Sequence, residues 1–124
     1  YNYYINYLNS SVMNALRNRV QLIGRLGADP KMFEIANGTK KASFSVATNE
    51  FYRRKDGERQ EETHWHNVVA WGKTAEIAEK ILRKGNEVAV NGKLVSRSYE
   101  DNSGNKKYIT EVIVSEFLLL VRKN

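Results

Sequence analysis

The chain has 124 residues, 41% hydrophobic and 27% charged, which fits one domain with a modest core and leaves little room for a second. Its lack of cysteine excludes a disulfide framework, a thiol nucleophile and any cysteine-ligated zinc or iron–sulfur site. Twenty Lys and Arg against fourteen Asp and Glu give a net charge of +6, a balance that suggests a polyanionic partner. Residues 1–12, YNYYINYLNSSV, hold four of the seven tyrosines and no charge. They match neither a secretory signal nor a transit peptide and read as a low-complexity extension ahead of a domain spanning 13–124.

From Arg17 onward the pattern is mostly of period two, the mark of half-buried strands. Val20, Leu22 and Gly24 alternate with Gln21, Ile23 and Arg25 in a first strand that ends at Gly27-Ala28-Asp29-Pro30. Ala42, Phe44 and Val46 mark a second strand. A polar hairpin over Arg53–Glu58 follows, with Asp56-Gly57 as its turn signal. The third strand is His64–Trp71. The period then changes. Thr74 can cap a helix, Ile77/Ile81 and Ala78/Leu82 form i,i+4 pairs, Arg83 and Lys84 suit the negative end, and Gly85 is placed to stop it. Strand character resumes at Glu87–Val90 and is broken by Asn91-Gly92. A second polar hairpin over Asp101–Lys107 leads into a last strand, Tyr108–Val121. Its end, Phe117–Val121, is the longest apolar run of the chain and far short of the roughly 20 residues needed to span a membrane. Five strands with one helix between the third and fourth predict an all-β, five-stranded OB-fold, a partly open Greek-key barrel.

Such barrels host several functions, so the side chains must decide. Trp65 and Trp71 lie six residues apart on one strand and share a face with Asn67 and Val69. Tyr52 stands at the root of the first hairpin beside Arg53, Arg54 and Lys55. Tyr99 precedes the second hairpin, near Arg97 and Lys107, and Lys73 follows Trp71 by two residues. Strand tryptophans are by default core residues. Here, four aromatics each have basic neighbours, the arrangement that stacks bases of a single strand while Lys and Arg neutralise phosphates. Enzyme readings find less support. His64-x-His66 places two imidazoles on one strand face, but these are the only histidines and a catalytic metal usually takes about three protein ligands. A carboxylate such as Glu62 could complete a site, yet no pattern specifies one; no cofactor is expected. Gly24-Arg25-Leu26-Gly27 lacks the Lys-Ser/Thr of a phosphate loop and no helix follows it.

The stretch Thr63-His64-Trp65-His66-Asn67-Val68-Val69-Ala70-Trp71-Gly72-Lys73 resembles the T-x-W-H-x-V-V-x-(aromatic)-G-K strand of the bacterial and mitochondrial single-stranded DNA-binding proteins. Arg19–Pro30, Ala47–Glu50, Leu82–Gly85, Gly92–Leu94, Ser103-Gly104 and Tyr108–Val112 follow the same family pattern in order, from about Met13 to Val121. The resemblance implies base stacking on Tyr52, Trp65, Trp71 and Tyr99, and phosphate contacts from Arg53 or Lys55, Lys73, Lys84, Arg97 and Lys107. It implies sequence-independent binding and protection of single-stranded DNA in replication, recombination and repair, with His66 at a subunit interface of a homotetramer and a cytoplasmic, nucleoid-associated location. Phe33, Asn67 and Val95 stand where the best-known bacterial members often carry Arg, which bears on how far DNA wraps. After Val121 come only Arg122-Lys123-Asn124, where many members carry a linker and an acidic tip that recruits replication and repair proteins. A chain complete at Asn124 is expected to lack that route. An RNA-binding OB domain and a primosome-type adaptor are the rival readings.

Overall fold

Alternation along the strands sorts the apolar side chains to one side. Ala42, Phe44, Val46, Val68, Ala70, Val88, Val90, Val112 and Val114 are all buried in a single cluster with Leu26. A computed structural model describes residues 16–121; the tyrosine-rich segment 1–12 and the basic end 122–124 lie outside the described residues. The strands are β1 (Val20–Leu26), β2 (Lys31–Ile35), β3 (Thr39–Arg53), β4 (Arg59–Trp71), β5 (Glu87–Glu100) and β6 (Lys106–Leu120), with an α-helix, α1 (Gly72–Ile81), between β4 and β5 and a short 3-10 turn, Ala36–Gly38, between β2 and β3. They form a sheet in the order β1-β5-β6-β4-β3-β2, and a β1–β3 pairing closes it into a barrel. The five long strands and the helix stand in the expected OB-fold order. Strand β2 is an addition: the short run Lys31–Ile35 pairs with the start of β3 and extends the wall by one edge.

Closure depends on a close approach of backbones. A Cβ on Gly24 would sit 2.1 Å from the carbonyl oxygen of Ala47, where β1 crosses to β3, so only glycine fits. On the neighbouring strand β5, Gly92 meets the Ile113 carbonyl in the same way, beside the bulge at Asn91/Gly92. The break expected at Asn91-Gly92 is therefore an irregularity within one strand of 14 residues.

The helix departs from expectation at two points. It starts at Gly72 directly after Trp71, so Thr74 lies inside the first turn and does not cap it. Its buried stripe is Ala75, Ala78 and Leu82, while Ile77 and Ile81 are exposed. That stripe faces the barrel, and the two isoleucines project from another side of the helix, outside the contact. The C-terminal end behaves as its charge suggests: Arg83 Nη1 donates to the carbonyls of Glu79 and Leu82 at 2.7 and 2.6 Å. Gly85, at φ +86, turns the chain back, and its N–H donates to the Leu26 carbonyl at the end of β1.

Beyond the barrel wall, β3–β4 and β5–β6 continue as two twisted ribbons. Val68 pairs with Val112 and Val69 with Ile113 in parallel, so both ribbons leave the barrel in the same direction. Each ends in the same turn. Arg54 N–H donates to Glu58 O and Gly57 N–H to Arg54 O; Asp101 N–H donates to Asn105 O and Gly104 N–H to Asp101 O. Gly57 and Gly104 carry φ of +88 and +80. This is a type I turn followed by a left-handed bulge residue, the three-residue hairpin connection. The Asp56-Gly57 signal thus marks the second half of the turn.

Candidate nucleic-acid interface

Residues directly opposite each other on paired strands point to the same side of a sheet. On β4, Trp71, Val69, Asn67 and Trp65 share the side facing away from the core, and their β3 partners are Lys41, Ser43, Ser45 and Ala47. Trp65 is 62% exposed and Trp71 41%, so neither tryptophan is a core residue. The Trp65 ring lies against the backbone at the end of β1: a Cβ on Gly27 would fall 2.6 Å from its Cζ3. That corner also gathers the turn after α1, where Lys84 N–H donates to Asp29 Oδ1 at 2.8 Å. Lys84, remote in sequence, is therefore tied by its backbone to the loop after β1, two residues beyond the Gly27 on which the Trp65 ring rests. Lys73 is exposed on the first turn of α1, beside Trp71.

Through the Val69–Ile113 pairing the same outer side continues onto β6 and β5, where it carries Lys107 opposite Tyr99 and Ile109 opposite Arg97. Tyr99 is exposed. Arg97 is committed within the protein: its Nε donates to Glu111 Oε1 at 2.9 Å and Nη2 to Oε2 at 3.4 Å. That hydrogen bond, with the attraction of the buried Glu111 carboxylate, raises the guanidinium above its ordinary pKa. Lys107 Nζ lies 3.9 Å from Asp101. In the first ribbon Arg53, Arg54 and Lys55 are exposed and form no ion pair among the described residues.

Tyr52 differs from the other three rings. Its register partner is Gln60, which puts it on the side of Glu50, Glu62 and His64, opposite to Trp65 and Trp71. The ring on the tryptophan side of that ribbon is its neighbour Phe51, exposed and covered by the Arg59 guanidinium at 4.6 Å. Phe51 was missed in the sequence because face depends on register, which the turn fixes. Phe33 is the other missed ring: it is exposed on β2 opposite Lys41, whose Nζ sits 5.6 Å from the Phe33 centroid and 5.5 Å from that of Trp71.

His66 and His64 part company. His66 is half-buried on the inward side and hydrogen-bonded to Thr48 Oγ1 at 2.9 Å. His64 Nε2 lies 3.9 Å from Glu50 and 3.8 Å from Glu62, and all three groups are exposed on the ribbon. The two imidazoles thus serve separate contacts. No helix among the described residues is long and apolar enough to cross a membrane.

An OB barrel with exposed rings and cations interleaved along one outer face defines the class of protein. Residues 17–120 match the model of the Single-strand binding protein family, and the chain belongs to that family. It is 44% identical over 108 residues to Single-stranded DNA-binding protein 1 of Chlorobaculum tepidum, covering 86% of this chain and 67% of that one. It is 44% identical over 107 residues to the protein of the same name from Xylella fastidiosa, covering 86% and 79%. Among solved structures, the Plasmodium falciparum SSB in complex with ssDNA superimposes with a TM-score of 0.76 at 38% identity, covering 84% of this chain and 95% of that one. A deletion mutant of the single-stranded DNA binding protein from Thermus aquaticus gives 0.74 at 30% identity, covering 84% and 50%.

Proposed function

We propose that this chain binds and protects single-stranded DNA without sequence preference, as a homotetramer, in replication, recombination and repair. Bases stack on Trp65, Trp71 and Tyr99 along one outer face and on Tyr52 where the strand passes to the other side of its ribbon. Phosphates are neutralised by Arg53, Lys55, Lys73 and Lys84, with a smaller share from Arg97 and Lys107, which are paired to Glu111 and Asp101. The carrying observation is the exposure of Trp65 and Trp71 on one outward face, beside cations, in a member of this family. Large exposed rings are costly to leave in water unless a partner covers them, and every base offers a π-face that does so. The reading assigns no catalysis and no cofactor, places His66 at a subunit contact and locates the protein on nucleoid DNA in the cytoplasm. Residues 13–124 form the binding domain in this reading, with 1–12 as an extension to it.

The test is a titration of intrinsic tryptophan fluorescence with long oligo-dT at two salt concentrations, with duplex DNA and oligo-U as competitors. Strong quenching is expected, resisted little by either competitor. Affinity should fall steeply with salt as counterions are released. Absence of quenching at low salt would defeat this reading and favour a protein adaptor. Equal competition by oligo-U would favour an RNA-binding domain.

A further inference from the structure

Phe33, Lys41 and Trp71 are register partners across three adjacent strands, β2, β3 and β4, in one row on the outer face. The sequence offers no local hint of this, since Phe33 and Trp71 are 38 positions apart (71 − 33) and meet only because β2 adds an edge to the barrel. Phe33 is 46% exposed and stands apart from the buried core cluster. An aromatic ring left in this position does little for the fold. Strands are about 4.8 Å apart, so the two rings are separated by roughly 10 Å, with one cation between them.

We infer that Phe33 is a fifth base-stacking residue, and that Phe33, Lys41 and Trp71 act as one platform. Neighbouring bases lie on the two rings while Lys41 neutralises the phosphate that joins them. Lys41 is already drawn to both ring faces at 5.5–5.6 Å, which holds its charge at the midpoint of the row. A phosphate arriving there meets an ammonium already held between the two rings. Lys31 extends the row of cations along β2, one residue pair away on the same face. The platform would carry the bound strand past Trp71 to the barrel's β2 edge. This proposal rests on the single-strand reading above.

The experiment uses the full chain and fluorescently labelled oligo-dT, followed by anisotropy at several salt concentrations, with oligomeric mass measured by sedimentation. The variants are Phe33→Ala, Phe33→Leu, Phe33→Tyr, Lys41→Gln and, as a reference, Trp71→Ala. Phe33→Ala and Phe33→Leu should each weaken binding about 5- to 150-fold, with the salt slope and mass unchanged. Phe33→Tyr should bind like the parent, because the π-face is kept. Lys41→Gln should reduce the magnitude of the salt slope by about 0.7, the loss of one phosphate contact on a single strand. Wild-type affinity in Phe33→Ala alongside weakened Trp71→Ala would overturn the platform and leave the single-strand reading intact. Loss of oligomeric mass in Phe33→Ala would overturn it in favour of a subunit contact. Failure of the parent chain to bind oligo-dT would overturn both readings together.

Discussion

The β3–β4 and β5–β6 ribbons are built on one backbone plan and differ in how their cations are partnered. Their turns have matching hydrogen bonds and a left-handed glycine at the same place, Gly57 and Gly104. The second ribbon, however, turns its charge inward: Arg97 clasps Glu111 and Lys107 faces Asp101. Asp101 Oδ1 also accepts from the N–H groups of Ser103 and Asn105, each at 2.9 Å, tying its own loop. The first ribbon leaves Arg53, Arg54 and Lys55 unpaired among the described residues, and its strand β4 holds both tryptophans. Cations with a protein partner stabilise the ribbon that bears them. Cations without one remain available to a polyanion. The same fold element thus appears once as a braced arm and once as an open one.

That contrast can be broken or sharpened by substitution. The largest effect belongs to the paired change Trp65→Ala/Trp71→Ala on the open side. Six strand residues place the rings about 20 Å apart, far enough for their contributions to add. Oligo-dT binding should lose about 2–6 kcal/mol, at roughly 1–3 kcal/mol per stacked base, with little change in salt slope. Anisotropy titration measures both quantities, and a loss below 1 kcal/mol would show that the rings are not the platform.

Arg97→Ala comes next and should act mainly on stability. It leaves the buried Glu111 carboxylate, 6% exposed, without its donor, at a cost of about 1–3 kcal/mol. Denaturant unfolding measures this; an unchanged midpoint would mean that the brace contributes nothing and that Arg97 is as free as Lys55. The smallest effects belong to Arg53→Ala and Lys55→Ala. Each should change stability by no more than about 0.5 kcal/mol, as exposed surface substitutions do. Each should also lower the magnitude of the salt slope by about 0.7. If Arg97→Ala lowered the slope as much as Lys55→Ala, the distinction between braced and open arms would collapse.

The strand and helix order was legible in the sequence because hydrophobic period and turn residues are local signals. Helix α1 shows where such signals end. Ile77/Ile81 and Ala78/Leu82 have equal claims on periodicity, yet only Ala78 and Leu82 are buried, since which stripe meets the barrel is set by how the helix docks across it and not by the period itself. Strand β2 was invisible for a similar reason: Lys31–Ile35 becomes a strand only against the edge that β3 provides. Of the site, the tryptophan pair, the lysines beside it and the basic first hairpin could be read from one strand and its neighbours. The side occupied by Tyr52 could not. It follows from the Arg53/Arg59 register fixed by the bulged turn, and one residue more or less would exchange Tyr52 with Phe51. The commitment of Arg97 to Glu111 also spans two strands that no local pattern joins.

The contact between the Trp65 ring and Gly27 has a thermodynamic consequence. A side chain that rests on a neighbouring backbone has given up much of its rotational freedom as part of folding. Ordering an interface side chain otherwise subtracts about 0.5–1.5 kcal/mol from association. At Trp65 part of that loss precedes any encounter, because one side of the indole is already laid against the end of β1. The stacking surface is preorganised, and the missing side chain of a glycine is what makes it so.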